Sequence, residues 1–125
     1  MSRVASAPDS KTPIDAVAAA LEAAGALLQE RREYARKRQA VIAANAELQE
    51  RELIKLASLG SAMADMLRRR GVRGPAASLT AEAGIAVFKV AFDFWVNQTE
   101  QRELPQLIRD SLDELKAVTS GAERR

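Results

Sequence analysis

The chain contains no cysteine and no histidine. The first absence removes disulfides and thiolate chemistry. The two together remove zinc sites of the Cys/His type and any Ser-His or Cys-His catalytic pair. Aromatic residues are scarce at 4%, and six glycines with four prolines are too few for the many turns of an all-β chain of 125 residues. A strong charge of one sign is missing as well. Nineteen Lys and Arg against seventeen Asp and Glu leave a net charge of +2, which does not drive a protein onto phosphate by bulk attraction. No stretch approaches the roughly 18 consecutive apolar residues of a membrane span. Met1 to Ser10 also lack the apolar centre of a signal peptide. The lack of cysteine fits a reducing compartment, so a cytoplasmic protein with no membrane partner is expected. What is present is 47% apolar and 29% charged residues, rich in Ala, Leu, Glu and Arg. That composition predicts one all-α domain with no catalytic residues, no metal site and no cofactor.

Residues 1–12 are small and polar and read as a flexible N-terminal segment. The helical domain is expected to cover 13–120, with no internal repeat and no further boundary. Thr12 can cap a helix, Pro13 suits its first position, and Asp15 lies in its first turn. Ile14, Val17, Leu21 and Leu28 continue at helical spacing. Gln29 to Ala44 is also helix-like, with Tyr34, Val41 and Ile42 as its expected buried residues. Periodicity leaves open whether 13–44 is one bent helix or two. Asn45 is the next candidate cap, opening a helix whose apolar face carries Leu48, Leu53, Leu56, Leu59, Met63, Met66 and Leu67. Arg68, Arg69 and Arg70 fall in its last turn, and Gly71 suits the position after it.

A further helix is expected from about Pro75 to Glu100. Its apolar residues form two groups, one of Ile85, Phe88, Phe92 and Trp95, the other of Val87, Val90, Ala91 and Phe94. Together they span roughly 240°, far wider than the ~100° stripe of a helix lying on a monomer's surface. Such a helix needs cover on both flanks, from its own chain, a ligand or a partner subunit. The last helix, from near Pro105 to just before Gly121, has a clean stripe of Leu104, Leu107, Ile108, Leu112, Leu115 and Val118. Two copies of this hairpin can bury one another as a four-helix bundle about a two-fold axis. Val87, Phe94, Leu104, Leu107, Ile108, Leu112 and Leu115 are therefore the expected homodimer interface.

Phe88, Phe92 and Trp95, with Leu56, Leu59 and Met63 and with Leu21 and Leu28 from the first helix, admit two readings. They are plain core, or they wall a pocket for an apolar molecule with aromatic and flexible Met surfaces. The basic run Arg31, Arg32, Arg36, Lys37 and Arg38 is interrupted by Glu33 and has no interleaved aromatic platform, so it reads as a solvated helix face. Asp110, Asp113 and Glu114 read as solvated carboxylates in the same way.

The segment Ile42-Ala43-Ala44-Asn45-Ala46-Glu47-Leu48, followed by Arg51, resembles a turn and helix start in the C-terminal domains of TetR-type transcription regulators. The likeness is greatest to the actinobacterial branch that includes the mycofactocin regulator type. Arg69-Arg70-Gly71-Val72 before Pro75 is similar too, as are Leu79-Thr80-Ala81-Glu82-Ala83-Gly84, Trp95 and the closing Leu104 to Leu115 helix. The resemblance covers roughly residues 13–118. Ala46 stands where the family usually has proline. A helix-turn-helix reader is expected to be absent from this chain, because twelve residues cannot hold one. Ser2 to Ser6 resembles the tail of the helix that joins the two domains in the family.

The resemblance implies a TetR-type C-terminal helical bundle of about five helices, dimerising through the last two. Its function would be to bind a small hydrophobic effector, of the fatty-acyl kind, in a repressor whose operator DNA is met only through the missing N-terminal domain. A different class of function fits the same residues: a small all-helical interaction or scaffold protein that binds a partner helix and takes no small-molecule effector.

Overall fold

In a computed structural model of the chain, residues 12–97 and 102–120 are described. They form five helices, α1 (Pro13–Gln29), α2 (Arg32–Ala43), α3 (Ala46–Arg69), α4 (Gly74–Asn97) and α5 (Leu104–Ser120), with no strand among the described residues. Apart from Thr12, the expectation for residues 1–12 lies outside that range. So does the continuation of the fourth helix to Glu100.

The helix ends follow from local chemistry. Thr12 Oγ1 accepts a hydrogen bond from the Asp15 N–H at 3.3 Å, and Pro13 occupies the start of α1. Asn45 Oδ1 accepts from the Leu48 N–H at 3.1 Å, so the cap of α3 works without a following proline. At the other end of α3 the Gly71 N–H bonds the Arg68 carbonyl at 2.9 Å, and the Val72 N–H bonds the Leu67 carbonyl at 3.0 Å. Gly71 has φ of 96°, and this pair of bonds is a Schellman motif, which needs a residue tolerant of the left-handed region. Residues 13–44 form two helices. No glycine or proline separates them, and the turn at Glu30 and Arg31 redirects the chain so that Arg32 meets the end of α4.

α1 and α5 run antiparallel, joined by three polar rungs. Gln29 Oε1 accepts from the Leu104 N–H at 2.8 Å, Arg109 pairs with Glu22 at 2.8 Å, and Lys116 pairs with Asp15 at 2.6 Å. Between these rungs lie Val17, Leu104 and Ile108, all fully buried. α4 packs against α1, α3 and α5. The absent side chain of Gly84 lets α4 lie directly on α1, because a Cβ there would stand 2.5 Å from Val17 Cγ1.

α2 departs from expectation. Its buried residues are Ala35 and Ile42, whereas Tyr34 is 57% and Val41 59% exposed. At about 100° per residue, Tyr34 and Val41 lie opposite the arc that carries Arg32, Ala35, Arg36 and Ile42. The inner face of this helix is thus partly cationic.

α2 is pinned to α3 by Arg38, whose guanidinium donates to Glu52 Oε2 at 2.6 Å. That bond holds the Glu52 carboxyl below its ordinary value of 4.5, against a smaller upward push from burial. A carboxyl lowered on folding stabilises above its unfolded value, and the contribution is lost as pH falls through the folded one. Glu52→Gln is therefore expected to cost about 0.2–1 kcal/mol at pH 7, the range for a partly exposed pair. The difference from wild type should close below about pH 4. Urea denaturation of both proteins between pH 3 and pH 7 checks this, and a gap that widens on acidification would refute the assignment.

Candidate dimer face and aromatic cluster

The eight residues expected at a pocket separate into layers. Leu21, Met63 and Trp95 are closed within the core. Leu28, Leu56, Phe88 and Phe92 are half-buried against it, and Leu59 is 40% exposed. Gly84 brings the inner layer together, since its missing Cβ faces Val17, Leu21 and Met63. The aromatic residues form a row along α4. Phe88 and Phe92 stack with centroids 5.7 Å apart, and Phe92 and Trp95 are tilted at 5.6 Å. Such offset pairs are favourable beyond the area they bury.

Arg32 closes this row, and the expectation of a merely solvated basic face is corrected here. Its guanidinium lies 5.6 Å from the Trp95 ring centroid, and its Nη2 donates to the Trp95 carbonyl at 2.9 Å. That carbonyl is in the last turn of α4, where intrahelical partners run out and a cation complements the dipole. Trp95 itself is 0% exposed. Its indole Nε1 is buried without a hydrogen-bond partner. A sequence signal for Arg32 existed in its helical spacing from Ala35, but only the angle at which α2 meets α4 brings it to the aromatic row.

The residues expected at a dimer interface also divide. Val87, Leu104, Leu107, Ile108 and Leu112 are buried by their own chain. Leu104, Ile108 and Leu112 are therefore corrected to internal core, whereas Val87 and Leu107, though buried, lie along the groove between α4 and α5. α1 occupies the part of the α5 stripe that carries Leu104 and Ile108, where Gly25 faces both side chains. Leu115 is half-buried and Phe94 is 48% exposed. These two lie in an open groove of about 860 Å³ between α4 and α5, with Val90 and Val118 beside them. Val90 is 50% and Val118 65% exposed, so the floor of the groove is apolar and open to water. Arg102, paired with Asp110 at 2.6 Å, and Glu114 border it. The sequence reading named Val90 on one flank of the fourth helix and Val118 on the last stripe, and expected neither at the interface.

A second concavity, about 580 Å³, lies between α1 and α5 over Ala18, Ala19 and Ala23. Its rim carries Asp113 and both ion pairs that tie the two helices. Neither concavity touches any of the eight expected pocket residues. Among the described residues no helix is long and apolar enough to cross a membrane, and no three carboxylates gather as a metal site.

Five helices with an unpartnered apolar groove on the last two suggest a regulatory bundle, and comparison with known families agrees. Residues 11–120 match the family model described as the MftR C-terminal domain. A comparison with curated proteins found no match. Because the matched span takes in all five helices, the chain belongs to the TetR-type transcription regulators, as a C-terminal domain of the mycofactocin-regulator type.

Proposed function

We propose that residues 13–120 are the effector-sensing and homodimerising part of a transcription repressor. The observation that carries this reading is the α4–α5 groove. Val90, Phe94, Leu115 and Val118 present apolar surface on two neighbouring helices of a regulator domain. A second copy turned about a two-fold axis would lay the same groove on itself and close a four-helix bundle. Reading of operator DNA falls to a helix-turn-helix head outside residues 13–120.

The effector is a small hydrophobic molecule of the fatty-acyl kind. It enters beside the half-buried Phe88 and Phe92. The first half of α3 supports this, because its buried residues begin only at Gly60 while Leu53 and Ile54 stay exposed. Binding biases the dimer between two spacings of its DNA-reading heads, by as much as the effector's affinities for them differ. No catalytic step belongs to this function, and the protein acts in the cytoplasm.

Sedimentation and native mass spectrometry test the proposal together. Wild type is expected to run at twice the chain mass at micromolar concentration and to carry or accept an apolar small molecule. Phe94→Arg should run as a folded monomer, because half of that side chain already meets solvent and a charge in the closed groove would be desolvated. The Leu107 position is unsuitable for this purpose, since a charge there would break the protomer core. A wild-type monomer ends the dimer reading. A dimer that takes no apolar molecule favours the scaffold class of function.

A further inference from the structure

Trp95 is the sole tryptophan of the chain, and its indole N–H is a donor with no acceptor. Buried indoles ordinarily hydrogen-bond, because the group was bonded to water before folding and burial without a partner is costly. Its two ring partners offer no remedy. Phe92 has no acceptor atom, and Arg32, which lies over the ring, carries donors alone. Repacking these neighbours cannot satisfy the indole. An acceptor has to arrive from elsewhere.

The surroundings restrict what can bring it. Phe88 and Phe92 continue from Trp95 as a row of half-buried rings, which suits an apolar body. Arg32 and Arg36 lie on the inner face of α2, so the electrostatic potential beside the indole favours an electron-rich atom. On the reading of the domain as an effector sensor, we propose that Trp95 Nε1 is the anchoring donor of the effector site. It would bind a carbonyl or carboxylate oxygen at one end of an apolar molecule whose body lies along Phe92 and Phe88. The oxygen then gives the buried indole N–H its acceptor, which makes it the determinant of specificity. A pure hydrocarbon would make no such bond.

A single indole makes the test site-specific. In the 15N-labelled full chain, the one indole N–H cross-peak should lie upfield when no ligand is added. Decanoate or methyl decanoate should move it downfield as the hydrogen bond forms, whereas decane should leave its proton shift in place. The two oxygen-bearing probes distinguish an anionic from a neutral acceptor. By tryptophan fluorescence, the better of them should bind about 10-fold more tightly than decane, the ratio of one hydrogen bond made or left unmade. Trp95→Phe, followed by competition with a fluorescent fatty acid, should bring that ratio close to one.

An indole proton unmoved at saturation overturns the proposal, as does a ratio that survives Trp95→Phe. A ligand-free indole already bonded to buried water, seen as a cross-peak to water, overturns it as well. Where decane binds wild type as well as the better of the two oxygen-bearing probes does, the apolar effector stands and the Trp95 anchor falls. Where none of the probes binds, both fall. The wild-type spectrum decides even where the Phe variant is unfolded.

Discussion

Gly84→Val is expected to destabilise the domain by about 3 kcal/mol, the upper part of the usual range for overpacking a filled core. The reason is positional. A Cβ on residue 84 would stand 2.5 Å from Val17 Cγ1, inside any tolerable contact, and Val17 is itself fully buried. A β-branched side chain in a helix is held to one preferred rotamer, so Val17 has little room to turn away. The strain therefore passes to the backbones of α1 and α4. Gly84→Ala separates this effect from helix propensity. At an open helical site, alanine would gain up to ~1 kcal/mol over glycine. Here the clash should outweigh that gain and leave a net loss of about 1 kcal/mol.

Removing the opposing methyls completes the case. Val17→Ala alone leaves a cavity and costs stability, but in the Gly84→Ala background it also removes the clash. The two substitutions should therefore couple favourably by about 1 kcal/mol, as neighbours in contact do. Urea denaturation of the four proteins at one protomer concentration gives the cycle. Gly84→Ala more stable than wild type would mean that α1 and α4 lie farther apart than described.

Trp95→Ala carries the other large effect, an expected loss of about 3–5 kcal/mol. Trp95 is the largest of the fully buried side chains, and it ends the aromatic row where α2 meets α4. Its truncation opens a cavity, removes the ring contact with Phe92 and takes away the platform beneath Arg32. Phe92→Ala should cost less, because that ring is only half-buried. Circular dichroism is the appropriate probe, since the Ala variant has no tryptophan to follow. A loss below about 1 kcal/mol would place the indole at the surface instead.

The unsatisfied indole adds a refinement. Trp95→Phe loses volume but also removes an unmet donor, and these effects oppose. It should fall well short of the Ala variant's loss. That difference separates the cost of the cavity from the cost of the polar atom.

Much of the fold was legible residue by residue. Thr12, Asn45 and Gly71 marked helix ends because capping depends on one side chain and its three or four nearest neighbours. The stripe on α5 was equally plain. Its meaning was not, because an amphipathic stripe states that something covers it and is silent about what. Leu104 and Ile108 were as consistent with a partner subunit as with α1, which in fact covers them. The apolar surface left open to water is the adjoining strip through Val90, Phe94, Leu115 and Val118.

Composition and periodicity by themselves determined an all-helical domain, its caps, the excess apolar girth of α4 and the likeness to TetR-type regulators. Each of these depends on residues near one another in the chain. Which helix shields which face, and that Arg32 lies over Trp95 sixty-three positions away, were decided only by the tertiary arrangement. Packing selects among partners that have the same local pattern, and it does so through volume and angle. A missing Cβ at Gly84 that lets two backbones approach, or a turn at Glu30 and Arg31 that swings α2 across the end of α4, has no periodic signature.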